Sequence, residues 1–166
     1  MLKGPLTSED HLTERMRKLF GSVPRCLQVA ALPWRAGQNG VEIMLITSRD
    51  TARWVLPKGW PEPREPLCRA AAREANEEAG LRGTISPIEA GRYLYAKAMS
   101  SGRDVPCEVL VFPLLVSEIA DKWKEQHQRE RRWVAPDEAA HMVREDDLGQ
   151  VIADFGAHPD RFAAVP

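Results

Sequence analysis

The sequence predicts an α/β fold in which helices cover both faces of a mixed β-sheet. Short apolar runs bounded by turn residues are interspersed with segments of helical periodicity. These elements do not repeat as regular βαβ units, so a purely parallel sheet is not expected. A length of 166 residues, 43% of them hydrophobic and 28% charged, is typical of one globular domain with a full core.

The first part of the chain predicts a helical extension followed by a β-hairpin. Within residues 1–22, apolar side chains recur on one side of a helix that Thr7 or Ser8 can cap. Two apolar runs, 26–32 and 41–47, surround a turn at 36–40, which is the pattern of a hairpin. The predicted organisation is therefore an N-terminal helical extension (1–22), one domain (23–158) and a C-terminal tail (159–166).

The later elements follow from periodicity and from proline or glycine breakers. Further strands are expected at 54–56, 90–99, 105–116 and 132–134, and a short extended piece at 82–87. Pro106 and Pro113 are expected to interrupt the strand at 105–116. A proline-rich loop at 58–65 leads into a helix ending near residue 79, and two more helices begin at Pro136 and at Asp146 or Asp147.

The stretch from Gly59 to Leu81, GWPEPREPLCRAAAREANEEAGL, carries the chemistry. Its second half is a helix that Pro66 can start and that Gly80 can end in the left-handed conformation. Glu74, Glu77 and Glu78 lie at positions i, i+3 and i+4, so they share one helix face. Three neighbouring carboxylates repel one another unless a cation lies among them, and carboxylate oxygens are the ligands that Mg²⁺ prefers. The alternative for this pattern alone is a solvated acidic surface.

The upstream residues favour the metal site. The stretch resembles the Nudix box at every charged and glycine position. The matching pattern is Gly59, five residues, Glu65, seven residues and then Arg73-Glu74-x-x-Glu77-Glu78-x-Gly80. Ala75 departs from the bulkier apolar residue that is usual in that family, which affects packing only.

The resemblance implies an α/β/α sandwich and the hydrolysis of a phosphoanhydride in a small phosphorylated substrate. It implies that Glu74, Glu77, Glu78 and the Gly59 carbonyl bind Mg²⁺, with Mn²⁺ as an alternative, and that one carboxylate or a glutamate outside the box takes the proton. Glu125 and Glu130 are candidates for that base. Glu65 and Arg73 are expected to pair across the loop–helix junction and to hold the acidic face in place; Arg73 can also pair with Glu77.

Segments around the box resemble one subfamily more closely. Four segments are similar to diphosphoinositol polyphosphate phosphohydrolases, enzymes that also hydrolyse diadenosine polyphosphates. These segments are Arg53–Pro57, Arg82–Thr84, Asp121–Glu125 and Arg131–Val134. That subfamily typically has three glycines where this chain has Lys58-Gly59-Trp60, and a Lys-Gly pair there is more similar to diadenosine tetraphosphate hydrolases.

Cations near the box are candidates for binding the substrate phosphates, and Trp60 offers a stacking face for a base. Each basic residue taken alone is also explained as an ordinary surface charge. The substrate-binding candidates are Arg25, Arg53, Lys58, Trp60, Lys97 and Arg103.

Composition excludes several classes of function. The net charge of −1 gives no support for binding a nucleic acid polymer, and no apolar run approaches the ~20 residues of a membrane span. Three scattered cysteines without a CxxC motif indicate a reducing compartment, without a disulfide framework or a zinc site. We expect a cytoplasmic protein, either a monomer or a homodimer.

Three other functions remain open at this point. The same box serves nucleoside triphosphate pyrophosphatases of the house-cleaning type. A non-catalytic Nudix-like binding module is a second alternative, but such modules usually lose box carboxylates that are intact here. An interaction protein that depends on the N-terminal helix is the third.

Overall fold

The computed structural model describes residues 26–162, so the predicted N-terminal extension and Arg25 lie outside the described residues. Eight strands and three α-helices follow one another within this range. None of these helices is long and apolar enough to cross a membrane. The elements are β1 (Cys26–Gly37), β2 (Gly40–Thr47), β3 (Trp54–Val55), β4 (Lys58–Gly59), α1 (Leu67–Ala79), β5 (Leu81–Ile85), β6 (Gly91–Ala98), β7 (Asp104–Ile119), β8 (Arg131–Val134), α2 (Pro136–Met142), α3 (Asp146–Ala157) and a 3₁₀ turn (Pro159–Phe162).

The sheet is mixed and is organised around β1. This strand runs parallel to β7 from Cys26 opposite Cys107 to Trp34 opposite Leu115. It pairs antiparallel with β4 near its start and with β2 near its end. Strand β2 continues the sheet to β3 and β8, while β7 pairs on its other side with β6 and β5.

Two hydrophobic cores lie on opposite faces of this sheet. On one face, α1 packs through fully buried alanines against side chains that include Val29 and Phe112. On the other face, α2 and α3 bury side chains that include Ile152 and Phe155 against Leu45 and Tyr93. The predicted α/β/α sandwich around a mixed sheet is therefore confirmed.

Three segments differ from the sequence prediction. Lys58–Gly59 is not loop but a short strand on β1, and the piece after α1 begins earlier, as strand β5. Strand β7 runs through two prolines without a break. Pro113 lies where the neighbour of β7 changes from β6 to β5, and Pro106 precedes the first residue paired with β1, so neither missing N–H interrupts the strand.

Part of the predicted C-terminal tail belongs to the domain. Residues Pro159–Phe162 form a 3₁₀ turn, and the Phe162 ring lies 5.8 Å from the Phe155 ring, centroid to centroid. Residues 163–166 lie outside the described residues.

The expectation of unpaired cysteines is wrong for two of the three. Cys26 and Cys107 form a disulfide, while Cys68 is free. The pairing follows from the strand register, which places these residues directly opposite each other on β1 and β7. Cysteine count and spacing carry no information about that register. The inference of a reducing compartment loses its support, and the cytoplasmic location stays a prediction.

Candidate active site

Helix α1 presents the glutamates of the box, and its two ends are fixed by local chemistry. It begins after Pro66 and ends at Gly80, whose φ of 65° is the left-handed conformation that glycine adopts readily. The Gly80 N–H donates to the Asn76 carbonyl at 3.0 Å. The indole N–H of Trp123 donates to the Glu78 carbonyl at 2.9 Å, so the loop after β7 also holds the end of the helix.

Arg73 joins the helix to the loop that precedes it. Its Nε and Nη2 donate to the two carboxylate oxygens of Glu65, each at 3.0 Å, as the sequence predicts. Its Nη2 also donates to the Trp60 carbonyl at 3.0 Å, and its Nη1 donates to Glu74 at 2.8 Å. The hydrogen bonds from Arg73 hold the pKa of Glu65 below its usual range. The expected pair with Glu77 is looser, at 3.9 Å.

The three box carboxylates differ in burial. The Glu74 and Glu78 side chains are each only 11% exposed, whereas the Glu77 side chain is 33% exposed. Burial raises the pKa of Glu74, and it raises the pKa of Glu78 to about 7. Two acidic groups are therefore held in a place where their negative charge is costly without a cation, which excludes a merely solvated acidic face.

Arg129 is a site residue that the sequence analysis missed. It lies in the loop between β7 and β8, and its side chain is 7% exposed. Its Nη2 lies 3.0 Å from Glu78 Oε1 and 3.5 Å from Glu125 Oε1, and its Nη1 donates to the Thr47 carbonyl at 3.0 Å. No short-range spacing signals it, because 51 residues separate Arg129 from Glu78.

Two clefts include Glu74 and Glu78 in their linings. The first, of about 360 Å³, we call the basic cleft. The second, of about 440 Å³, we call the acidic cleft. The two clefts share Arg49 as well as the two glutamates. The basic cleft is further lined by residues that include Gln28, Asp50, Lys58, Trp60, Tyr95, Lys97 and Arg129. The acidic cleft is further lined by Glu77, Lys124, Glu125 and Gln128.

The structure brings together three of the predicted substrate-binding residues. Lys58 and Lys97 line the basic cleft with Trp60, which is 47% exposed. The Lys97 ammonium lies 5.4 Å from the Trp60 ring centroid, and the Lys58 ammonium lies 5.1 Å from that of Tyr95. Desolvation by burial lowers the pKa of Lys58. The sequence assigned no role to Tyr95, whose hydroxyl donates to Gln28.

Two other predicted cations lie elsewhere. Arg53 forms an ion pair with Glu145 at 3.5 Å and lines a separate cleft beyond Tyr95. Arg103 is exposed in the turn between β6 and β7 and lines neither cleft at the box. Both residues were assigned from proximity in the sequence, which does not specify the direction in which a strand end or a turn projects.

The two candidates for the base are separated by the fold. Glu125 lines the acidic cleft with the three box glutamates, and it contacts Arg49 at 3.2 Å as well as Arg129. Glu130 is exposed, and its backbone N–H donates to the Thr47 hydroxyl at 2.9 Å. The geometry therefore favours Glu125.

The chemistry of the residues at the box suits a divalent cation of the Mg²⁺ type. They offer hard carboxylate oxygens, Gly59 lines the basic cleft beside them, and burial disfavours the negative charge of Glu74 and Glu78. Gly59 lies so close to Glu74 that an added Cβ would be 2.4 Å from its carboxylate carbon. Between residues 26 and 162, no three acidic, histidine or cysteine side chains are gathered closely enough to hold an ion; Arg73 and Arg129 contact the carboxylates instead.

Comparison with known proteins assigns the family. The NUDIX domain family matches residues 24–155, so the chain belongs to the Nudix family. It is 32% identical over 120 residues to "Nudix hydrolase 12, mitochondrial" of Arabidopsis thaliana, which covers 70% of this chain and 59% of the relative. It is 30% identical over 119 residues to diphosphoinositol polyphosphate phosphohydrolase 2 of Rattus norvegicus, covering 70% of this chain and 62% of that protein.

Solved structures of other proteins have a similar fold. A C. elegans Ap4A hydrolase in a binary complex superposes with a TM-score of 0.64, over 82% of this chain and 99% of that one, at 20% identity. At that identity the likeness shows the fold alone. The chain spans about three fifths of the length of the curated relatives named above.

Proposed function

We propose that this protein is a Mg²⁺-dependent hydrolase that cleaves a phosphoanhydride bond in a compound made of a diphosphate linked to another moiety. Mn²⁺ is the alternative cation. The observation that carries the proposal is the position of Glu74 and Glu78, which are buried and line two clefts at once. One of these clefts is also lined by Lys58, Lys97 and Arg129, and the other is also lined by Glu77 and Glu125. A polyphosphate needs positive charge along its length and a basic group beside the scissile bond, and the two clefts supply these next to the box.

The chain's own residues account for substrate binding. Lys58 and Lys97 meet the phosphate oxygens from the wall of the basic cleft, and the exposed face of Trp60 offers a surface on which a base can stack. The Arg73 guanidinium holds Glu74 through a 2.8 Å hydrogen bond, and it fixes Trp60, the residue after β4, through the Trp60 carbonyl. Loss of Glu65 or Arg73 would therefore misplace these groups rather than remove a reacting one.

The hydrolytic step needs a water and a base. A divalent cation held by Glu74, Glu77, Glu78 and the Gly59 carbonyl would neutralise phosphate oxygens and lower the pKa of the attacking water. Glu125 accepts the proton, because it lies in the acidic cleft beside the box and within reach of two arginines that keep it oriented.

The substrates we propose are diadenosine polyphosphates or diphosphoinositol polyphosphates. The rat relative carries the second activity in its name, and the C. elegans neighbour of the same fold is named an Ap4A hydrolase. Lys58 and Trp60, which replace two glycines of the diphosphoinositol subfamily, favour a substrate that contains a nucleotide.

Product analysis tests this proposal. Purified protein with Mg²⁺ is offered diadenosine tetra-, penta- and hexaphosphate, a diphosphoinositol polyphosphate and the common nucleoside triphosphates. Glu78→Gln is the blank, and Glu138→Gln, which changes an exposed glutamate of α2, is the matched control. We expect cleavage of a dinucleotide with ATP among the products, and equal activity in the control.

Other outcomes separate the alternatives. Preference for the inositol compound would keep the hydrolase and make Lys58 and Trp60 incidental. Preference for triphosphates, with release of pyrophosphate, would indicate the house-cleaning class. Equal turnover by Glu78→Gln and the wild type would contradict the assignment of the site, and no turnover of any phosphoanhydride would favour a binding module.

A further inference from the structure

Arg129 is a buried cation to which the proposed reaction gives only the orientation of Glu125. Its guanidinium lies between Glu78, a candidate metal ligand, and Glu125, the candidate base, at 3.0 and 3.5 Å. Its Nε has no hydrogen-bond partner among the described residues, although the atom is buried. A buried arginine with an unpaired donor is costly, so the position is not explained by hydrogen bonding alone.

The arginine is fixed from behind by the backbone. Its Nη1 donates to the Thr47 carbonyl at the end of β2. The next residue of the loop is bonded to the same threonine twice, because the Thr47 N–H donates to the Glu130 carbonyl at 3.1 Å and the Glu130 N–H donates to the Thr47 hydroxyl at 2.9 Å. These hydrogen bonds therefore fix the position of the positive charge beside Glu78.

The charge of Arg129 has two opposite consequences. In the metal-free protein it offsets the buried negative charge of Glu78, and removing one partner of such a pair is strongly destabilising. Toward a divalent cation it is a like charge that shares the same carboxylate, and like charges a few ångströms apart repel strongly where the effective dielectric constant is about 20.

We infer that Arg129 is a resident counter-cation of Glu78 and Glu125, which stabilises the metal-free protein and weakens the binding of divalent cations. The inference rests on the proposed metal-dependent function. It adds a competition between the protein's own guanidinium and the metal, which sets how tightly the site holds its ion.

Arg129→Met distinguishes this role from others because the stability of the metal-free protein should fall while its affinity for a divalent cation should rise. We expect the melting temperature of the metal-free protein to fall by about 5 °C or more. We expect the Kd for Mn²⁺ to decrease about tenfold, because a nearby positive charge is gone. A purely structural residue would lower both the melting temperature and the cation affinity. A residue that only contacts substrate would raise KM and leave the Kd for Mn²⁺ unchanged.

The experiment is a titration of chelator-treated protein with Mn²⁺, followed by the electron paramagnetic resonance signal of the free ion, with thermal unfolding in parallel. Arg129→Lys keeps the charge, and its Kd should stay within about threefold of the wild type. Arg35→Met is the matched control, because Arg35 forms a 2.6 Å ion pair with Glu42 in the hairpin and lines neither cleft at the box. Its Kd should not change.

Each result either supports or overturns the inference. Weaker or unchanged Mn²⁺ binding in Arg129→Met would overturn it while leaving the proposed function intact. Absence of Mn²⁺ binding by the wild type would remove the proposed function and the inference together. If Arg129→Met does not fold without metal, saturating Mn²⁺ should restore folding, since the ion replaces the lost charge; a failure of that rescue would also count against the inference.

Discussion

Replacement of Gly59 by alanine tests whether the placement of Glu74 limits the reaction. A Cβ at this position would lie 2.4 Å from the Glu74 Cδ and Oε1 atoms, against an ordinary contact of about 3.4 Å. The carboxylate must therefore retreat by about 1 Å, and its 2.8 Å hydrogen bond to Arg73 must change. A displacement of that size in a reacting geometry costs on the order of 10² in rate.

The same change should affect stability little. Gly59 does not have a positive φ, so alanine meets no backbone strain there. The clash is with the end of a flexible side chain, so we expect the free energy of unfolding to fall by less than about 1.5 kcal/mol. The assay pairs kcat/KM on the preferred substrate with thermal unfolding.

Gly37→Ala is a closely matched control. Its Cβ would lie 2.6 Å from the carboxylate carbon of Glu42, which is paired with Arg35 just as Glu74 is paired with Arg73. This variant should lose similar stability and no activity. Our reasoning would be refuted if Gly59→Ala kept more than half of its activity, or if the two variants lost activity equally.

Three further predictions concern single side chains. Glu78→Gln should fold and yet lose turnover by about 10²-fold or more, which steady-state kinetics and circular dichroism check together; near-normal turnover in this variant and in Glu77→Gln would contradict the site. Trp60→Ala should keep its melting temperature, because the ring is 47% exposed, and should raise KM for nucleotide substrates about tenfold; an unchanged KM would exclude stacking. Glu65 has a lowered folded-state pKa, so its stabilising effect is complete above its unfolded value near 4.5 and is lost as the pH falls through the folded value. Glu65→Gln should therefore be less stable than the wild type at pH 7, and denaturant unfolding should show the difference shrinking below pH 4.5; a difference independent of pH would disprove the pairing with Arg73.

The sequence predicts the parts of the site that local geometry determines. The spacing of Glu74, Glu77 and Glu78 follows from the helical repeat, and the end of α1 follows from the conformational freedom of Gly80. The pairing of Glu65 with Arg73 was predictable because the two residues flank one loop–helix junction.

The remaining contacts depend on strand register and loop path, which periodicity does not contain. Arg129 meets Glu78 across 51 residues, the hydroxyl of Tyr95 meets Gln28 across 67, and Cys26 meets Cys107 across 81. The alternation of apolar residues along a strand shows which side is buried, but it does not show which residue of another strand lies opposite. The wrong expectation about the cysteines arises from this limit, and so does the unforeseen position of Arg53 outside the two clefts at the box.

The alanine face of α1 has a consequence for how this protein can diversify. Ala70, Ala71, Ala75 and Ala79 are fully buried, so the helix backbone lies close against the sheet and leaves no room for a larger side chain. The glutamates are thus anchored by an inner surface of small side chains, where a larger residue would require the facing sheet residues to repack. The basic cleft also contains Trp60 and Lys97, which belong to neither core, so substitutions at these positions disturb little packing. New specificities can therefore arise at these positions by gradual mutation while the reactive groups on the helix keep their positions.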